Sequence, residues 1–208
     1  MTQNSSNPEN FSGCPNLETL KLIDIRLEKN QTLFINAPNL KSLELSFGQP
    51  YMKYGRKVVI DGPGLMTFKY KGFPSIIVCS SDDLASIDDA YFHIYDWYIS
   101  GLEEEDKNED EDRGKNCIDI YSDEFRDRVL CFMDTLKKFC HAKSLTLSLE
   151  SVEALATFPC FLDEIPSPFA NLKHLKIERE PGQECMKVKI PAGVLNYFLN
   201  SSTVFELC

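Results

Sequence analysis

Long apolar runs are missing from this chain. No stretch approaches the ~18 residues that a membrane span requires, so no membrane partner is expected. The first ten residues carry neither the basic start nor the apolar centre of a secretory signal, and an intracellular location, cytoplasmic or nuclear, follows. Cysteine is present eight times but never as Cys-x-x-Cys. The paired spacing of a zinc site is therefore absent, and no metal is expected. Cys79, Cys131 and Cys140 fall on apolar positions and read as reduced, buried small hydrophobes. Gly-rich runs leading into Lys-Ser or Lys-Thr are lacking, which excludes a phosphate loop. The only histidines are His93, His141 and His174, and no Gly-x-Ser-x-Gly or equivalent accompanies them. Cys140 and His141 are adjacent in sequence, which does not aim one side chain at the other. Nucleophilic catalysis needs a base, a nucleophile and an orienting group. The chain reads as no enzyme, with no cofactor. A basic stripe is also missing: 22 Lys and Arg face 32 Asp and Glu, with a pI of about 4.8. Nucleic acid is thereby disfavoured as a partner.

Most of the net charge of −10 sits in one place. Residues 103–112 hold eight acids and Lys107, a local −7. Like charges that dense repel, and residues 101–121 read as a solvated acidic loop. A calcium loop fails there. Asp106, Asn108 and Asp110 match its first positions, but Glu111 stands where Gly is needed and Cys117 where Glu is needed.

What the chain does have is a repeat. Cys14-Pro-Asn-Leu-Glu-Thr-Leu-Lys-Leu22 returns as Ala37-Pro-Asn-Leu-Lys-Ser-Leu-Glu-Leu45 and as Gly62-Pro-Gly-Leu-Met-Thr-Phe-Lys-Tyr70. A looser copy is Phe169-Ala-Asn-Leu-Lys-His-Leu-Lys-Ile177. Leu17 to Leu40 is 23 residues and Leu40 to Leu65 is 25, within the period of a leucine-rich repeat. Ile87, Ala90 and Phe92 make the core of a fourth unit, Ala142, Leu145 and Leu147 of a fifth, and Leu172, Leu175 and Ile177 of a sixth. Thr32–Leu40 aligns without a gap to Lys57–Leu65, so each early unit carries two strand-like pieces joined by an Asn/Asp-small-Pro turn. Helices should be short or absent in that half.

The expected fold is α/β: an irregular, right-handed, horseshoe-like leucine-rich-repeat solenoid of about six repeats, with parallel strands on its concave face. Residues 1–11 read as a disordered leader and 12–100 as repeats one to four. After the acidic loop, 122–141 is an inserted amphipathic helix, because Phe125, Val129, Phe132, Met133, Leu136 and Phe139 recur at three- and four-residue steps. Ser122 or Asp123 would cap it. Residues 142–208 hold repeats five and six and a partial C-terminal repeat. Shorter helices are expected over 151–157, stopped by Pro159, and over 190–199, with Pro191 in the first turn. Trp97 and its aromatic neighbours would pack on the solenoid edge.

Together these motifs, in this order, resemble the leucine-rich-repeat half of plant F-box proteins of the F-box/FBD/LRR group, over roughly residues 12–207. The resemblance implies target recognition for a cullin-RING ubiquitin ligase. An F-box occupies about 45 residues, and only 13 precede Cys14, so adaptor binding is not expected of this chain. A small-ligand receptor, or a remnant or decoy without ligase recruitment, are the alternatives. The family's asparagine position carries Ile25, Gly48, Phe73, Tyr95, Glu150 and Glu180 instead, so packing alone should hold the turns together.

Alternation along each strand sends the residues between core positions to the concave face. That face would include Lys21, Glu44, Lys69, Lys71, Tyr91, His93, His174 and Lys176 as partner-binding candidates, with Glu178 and Ser148 further along its ladders. Tyr91 and His93 beside Lys69 and Lys71 are the strongest candidates, since aromatic and cationic side chains dominate interface energetics. The expected partner is a protein target.

Overall fold

Residues that alternate apolar and polar at every second position can bury one face and wet the other, and the strands of this chain do so. The computed structural model describes residues 11–27, 31–48, 57–79, 84–94, 123–179, 190–199 and 203–208. The acidic loop, Trp97, Ser122 and residues 1–10 of the leader lie outside the described residues.

A 3-10 turn at Phe11–Gly13 opens the described chain. Seven strands then alternate between two sheets. β1 (Thr19–Ile25), β3 (Ser42–Phe47), β5 (Thr67–Gly72) and β7 (Asp89–Ile94) enter one sheet, while β2 (Thr32–Asn36), β4 (Lys57–Asp61) and β6 (Ile76–Cys79) form a second. After helix α1 (Asp123–Lys137) the chain adds β8 (Ser144–Ser148), helices α2 (Leu149–Thr157) and α3 (Pro159–Glu164), β9 (His174–Glu178), helix α4 (Ala192–Phe198) and β10 (Val204–Leu207). The larger sheet has the order β1-β3-β5-β7-β8-β9-β10 and the smaller β2-β4-β6; every pairing is parallel and neither sheet closes. The protein is therefore mixed α/β with parallel sheets. No helix among the described residues is long and apolar enough to cross a membrane.

The core lies between the two sheets, then between the larger sheet and the helices. Leu43, Leu45 and Phe47 of β3, Phe68 and Tyr70 of β5, and Ala90, Phe92 and Ile94 of β7 point inward, and Leu33, Ile35, Val58, Ile60 and Ile77 of the small sheet meet them. Leu145, Leu147, Leu175 and Ile177 continue the row against Leu149, Val152 and Leu155 of α2 and Val194 and Phe198 of α4. The expected face of the inserted helix is buried as a set, from Phe125 to Phe139. Phe92 stands at the join, with ring centroids 5.7 Å from Phe68, 5.8 Å from Phe132 and 5.0 Å from Phe139. Tyr70 brings a hydroxyl into this region and satisfies it by donating to the Phe73 carbonyl (2.6 Å) and bonding Ser75 Oγ (2.6 Å), as a buried polar group must.

Packing is not all that joins successive units. Each repeat makes a turn in which Leu17, Leu40, Leu65, Ile87, Ala142 or Leu172 donates its N–H to the carbonyl three residues earlier. The carbonyl just before each strand then accepts two N–H groups of the following unit: Glu18 from Lys41 and Ser42, Lys41 from Met66 and Thr67, Met66 from Asp88 and Asp89, Asp88 from Lys143 and Ser144, and Lys143 from Lys173 and His174. These bonds span 2.8–3.1 Å. The absent asparagine column is replaced by main-chain atoms, which overturns the expectation of packing alone. Two ion pairs follow the same seam, Lys41–Glu18 at 2.7 Å and Lys143–Asp88 at 2.6 Å.

Helix α2 stops at Thr157, as expected ahead of Pro159, and two other expectations change. Pro159 does more than stop a helix. It begins α3, where a residue without an N–H costs nothing because first-turn donors have no intrahelical partner. Helix α2 starts at Leu149, two residues early, because Ser148 caps it: its Oγ accepts from the Ser151 N–H and donates to the Ile94 carbonyl at 3.1 Å. Ser148 is consequently buried and leaves the outer face. The cysteines divide. Cys79 and Cys131 are half-buried, and burial pushes both thiols up, whereas Cys14, Cys160 and Cys208 are exposed.

Candidate binding face

The strand positions between core residues form in-register rows across the solvent-facing side of the larger sheet. One row reads Lys21, Glu44, Lys69, Tyr91, Thr146, Lys176 and Glu206, strand by strand from β1 to β10. Beside it Lys71 pairs in register with His93. On the other side lie Thr67, Asp89, Ser144 and His174. The eight candidates Lys21, Glu44, Lys69, Lys71, Tyr91, His93, His174 and Lys176 all lie on this face, but the structure gathers only some of them.

Tyr91 is the centre. Lys69 Nζ lies 4.9 Å from its ring centroid and Lys71 Nζ 6.0 Å, within range of a cation–π attraction. Glu44 is held between Lys21, at 3.1 Å, and Lys69, at 3.7 Å. The Lys21 hydrogen bond, against an opposing burial effect and with help from the Lys69 charge, keeps the Glu44 carboxyl below its ordinary value. At the other end Lys176 bonds Glu178 at 2.7 Å. That bond holds Glu178 low and raises Lys176. The Glu178 carboxylate and the Tyr91 phenol also influence one another, lowering the first and raising the second. In the sheet order β8 stands between the two, with Thr146 in register with Tyr91 and Ser148 in register with Glu178. Burial first, then the Glu178 charge and hydrogen bond, push the Tyr91 phenol up to about 12.

Lys21, Glu44, Lys69, Tyr91, Glu178 and Lys176 are thus one connected network across six strands, with Lys71 against the same ring. His174 sits a row away and is exposed; His93 faces Lys71 one step from Tyr91. Glu178 is the residue whose importance sequence spacing understates. It appears there as one ladder position among many, and its influence on Tyr91 acts across β8. A shallow depression of about 260 Å³ opens between Lys21, Glu44, Lys69, Asp89, Tyr91 and Thr146. Ser42, Thr67 and Ser144 also line it.

Over 180 residues the chain is 29% identical to an F-box/LRR-repeat protein of Arabidopsis thaliana. The match covers 82% of this chain and 39% of that protein. The similarity supports an F-box/LRR relationship. No protein-family model matches the chain, and no solved structure matches it.

Proposed function

We propose that this chain is a leucine-rich-repeat module that binds a protein target on the outer face of its seven-stranded sheet. The observation that carries the reading is the in-register network from Lys21 to Lys176, centred on a half-buried Tyr91 between two ammonium groups. Such a site combines rigid aromatic area with cations on strands that cannot shift, the composition of an interface hot spot. Repeated strands that present one continuous face are the binding surface of solenoids, and a solenoid with this sheet on its concave side fits the strand order. The depression of about 260 Å³ is below the roughly 300–1,000 Å³ of small-ligand sites, which favours a protein partner over an enclosed ligand. By analogy with the F-box/LRR-repeat relative, the target would be a protein presented to a ubiquitin ligase, with this chain in the recognition role.

The test is capture by the immobilised full chain, comparing wild type with the Lys69→Glu, Tyr91→Ala double variant. A second double variant, Phe34→Ala with Lys57→Glu, alters the outer side of the small sheet. A specific partner should be lost from the first variant and kept by the second. Retention by the first variant, with an unchanged thermal melt, removes the assignment of the face.

A further inference from the structure

Within the network the charges do not balance evenly. Lys21 and Lys69 share one carboxylate, Glu44, and Lys21 is the nearer of the two. Lys71 forms no ion pair with any described residue, and its contact is the Tyr91 ring. At the β9 end, by contrast, Lys176 and Glu178 neutralise one another at 2.7 Å. From β1 to β5, then, three lysines face one glutamate, an excess of two positive charges on a chain whose net charge is −10. Asp89 lies on the Thr67 side of Tyr91, so the excess is concentrated on the opposite side, where Lys71 and His93 stand in register.

We propose that this corner, Lys69, Lys71 and Tyr91, anchors a carboxylate-bearing segment of a protein partner, with acidic side chains toward Lys71 and His93. The inference rests on the binding role assigned above and names the chemistry of the partner. An ammonium held over an aromatic ring is only partly satisfied, because the ring face supplies a quadrupole and no hydrogen-bond acceptor. A carboxylate completes the ammonium hydrogen bonds without displacing the ring. Ser42, Thr67 and Ser144, which line the depression, carry hydroxyls that can donate to and accept from main-chain amides. The row from Lys21 to Lys176 crosses five strand spacings, about 24 Å, which an extended segment of about seven residues spans. Nucleic acid fits less well, since two surplus cations offset little of the repulsion between a long polyanion and the acidic remainder of the chain.

The experiment uses the full chain and three fluorescein-labelled probes of equal length: hexaglutamate, hexalysine and an uncharged Gly-Ser peptide, followed by anisotropy at low salt. Wild type should bind hexaglutamate above the uncharged peptide, while hexalysine, which the acidic run of residues 103–112 attracts, serves as the control that should not respond to substitutions at the corner. Lys71→Gln should weaken hexaglutamate binding about fivefold, the scale of one partly exposed charge contact. Lys69→Glu with Lys71→Glu should abolish hexaglutamate binding while the thermal melt stays unchanged. Lys57→Gln, on the small sheet, should leave that binding intact. Hexaglutamate binding no tighter than that of the uncharged peptide, or indifference to Lys71→Gln, overturns the acidic-segment assignment. Partner capture that still depends on Tyr91 would in that case leave the face itself standing. Hexaglutamate binding that emerges only after Glu103, Glu104, Glu105 and Asp106 are neutralised would assign the corner to the chain's own acidic run and overturn an external partner.

Discussion

The two halves of the larger sheet look alike from outside and are built differently behind. Behind β3 and β5 the second layer is a three-stranded sheet, in which Leu33, Val58 and Ile77 lie in register, as do Ile35 and Ile60, while β7 already meets α1 and α2. Behind β8 and β9 it is helical, with α2 against both strands and α4 against α2. The outer rows and the main-chain ladder run through both halves unchanged. The ladder therefore sets the spacing of the strands, and the second layer is free to vary so long as it covers the inward side chains. A face for binding needs only the first of these.

That comparison can be broken most severely where the halves meet. Phe92 is fully buried, tilted against Phe68 and edge-on to Phe139, so Phe92→Ala should cost about 3–5 kcal/mol. Urea denaturation should show this as a lowered midpoint. Two separated transitions would instead show that the halves fold independently. Gly72 tests the sheet-backed half. Its φ is +152° and an added Cβ would lie 3.1 Å from Phe47 Cβ, so Gly72→Ala should destabilise by about 1–3 kcal/mol. The helix-backed half depends on its cap: Ser148→Ala removes the bonds to Ser151 and Ile94 and should cost about 1 kcal/mol. The smallest effect belongs to the seam. Asp88 and Lys143 are both substantially exposed, so a double-mutant cycle with alanine at each should give a coupling of about 0.2–1 kcal/mol. A larger value would mean that side chains, not the backbone ladder, join β7 to β8.

A pH measurement sharpens the outer face. Tyr91 has its phenol pushed up to about 12 from an ordinary 10. Below pH 10 both folded and unfolded chains keep the proton, and its contribution to stability is fully present. Between about pH 10 and 12 the unfolded chain releases a proton that the folded chain retains, so stability falls across that window. Tyr91→Phe should remove this part of the fall. In a phenolate absorbance titration, the difference between wild type and Tyr91→Phe should titrate near pH 12; a difference titrating at 10 would show the ring free of Glu178.

How much of this was legible beforehand follows from what each feature depends on. The buried triples Leu40-Leu43-Leu45 and Leu172-Leu175-Ile177 are readable because strand alternation is a property of side chains alone. The second sheet was visible in the gapless likeness of Thr32–Leu40 to Lys57–Leu65. The ladder from Glu18 to Lys173 was not, because its donors and acceptors are main-chain groups that every residue carries. Ser148 continues the polar alternation of β8 and so reads as outward, yet a helix starts immediately after it and needs a cap. The eight face residues were legible as a set; that Tyr91 unites them through Glu178 depends on contacts between strands distant in sequence.

The claim that matters most is that the partner lies on the larger sheet and not the smaller. Lysine acetylation read by mass spectrometry, on the chain alone and with a captured partner, tests it directly. Lys69 and Lys71 should lose reactivity in the complex, while Lys57, exposed on the small sheet, keeps it. Protection of Lys57 with Lys69 and Lys71 unchanged would contradict the assignment.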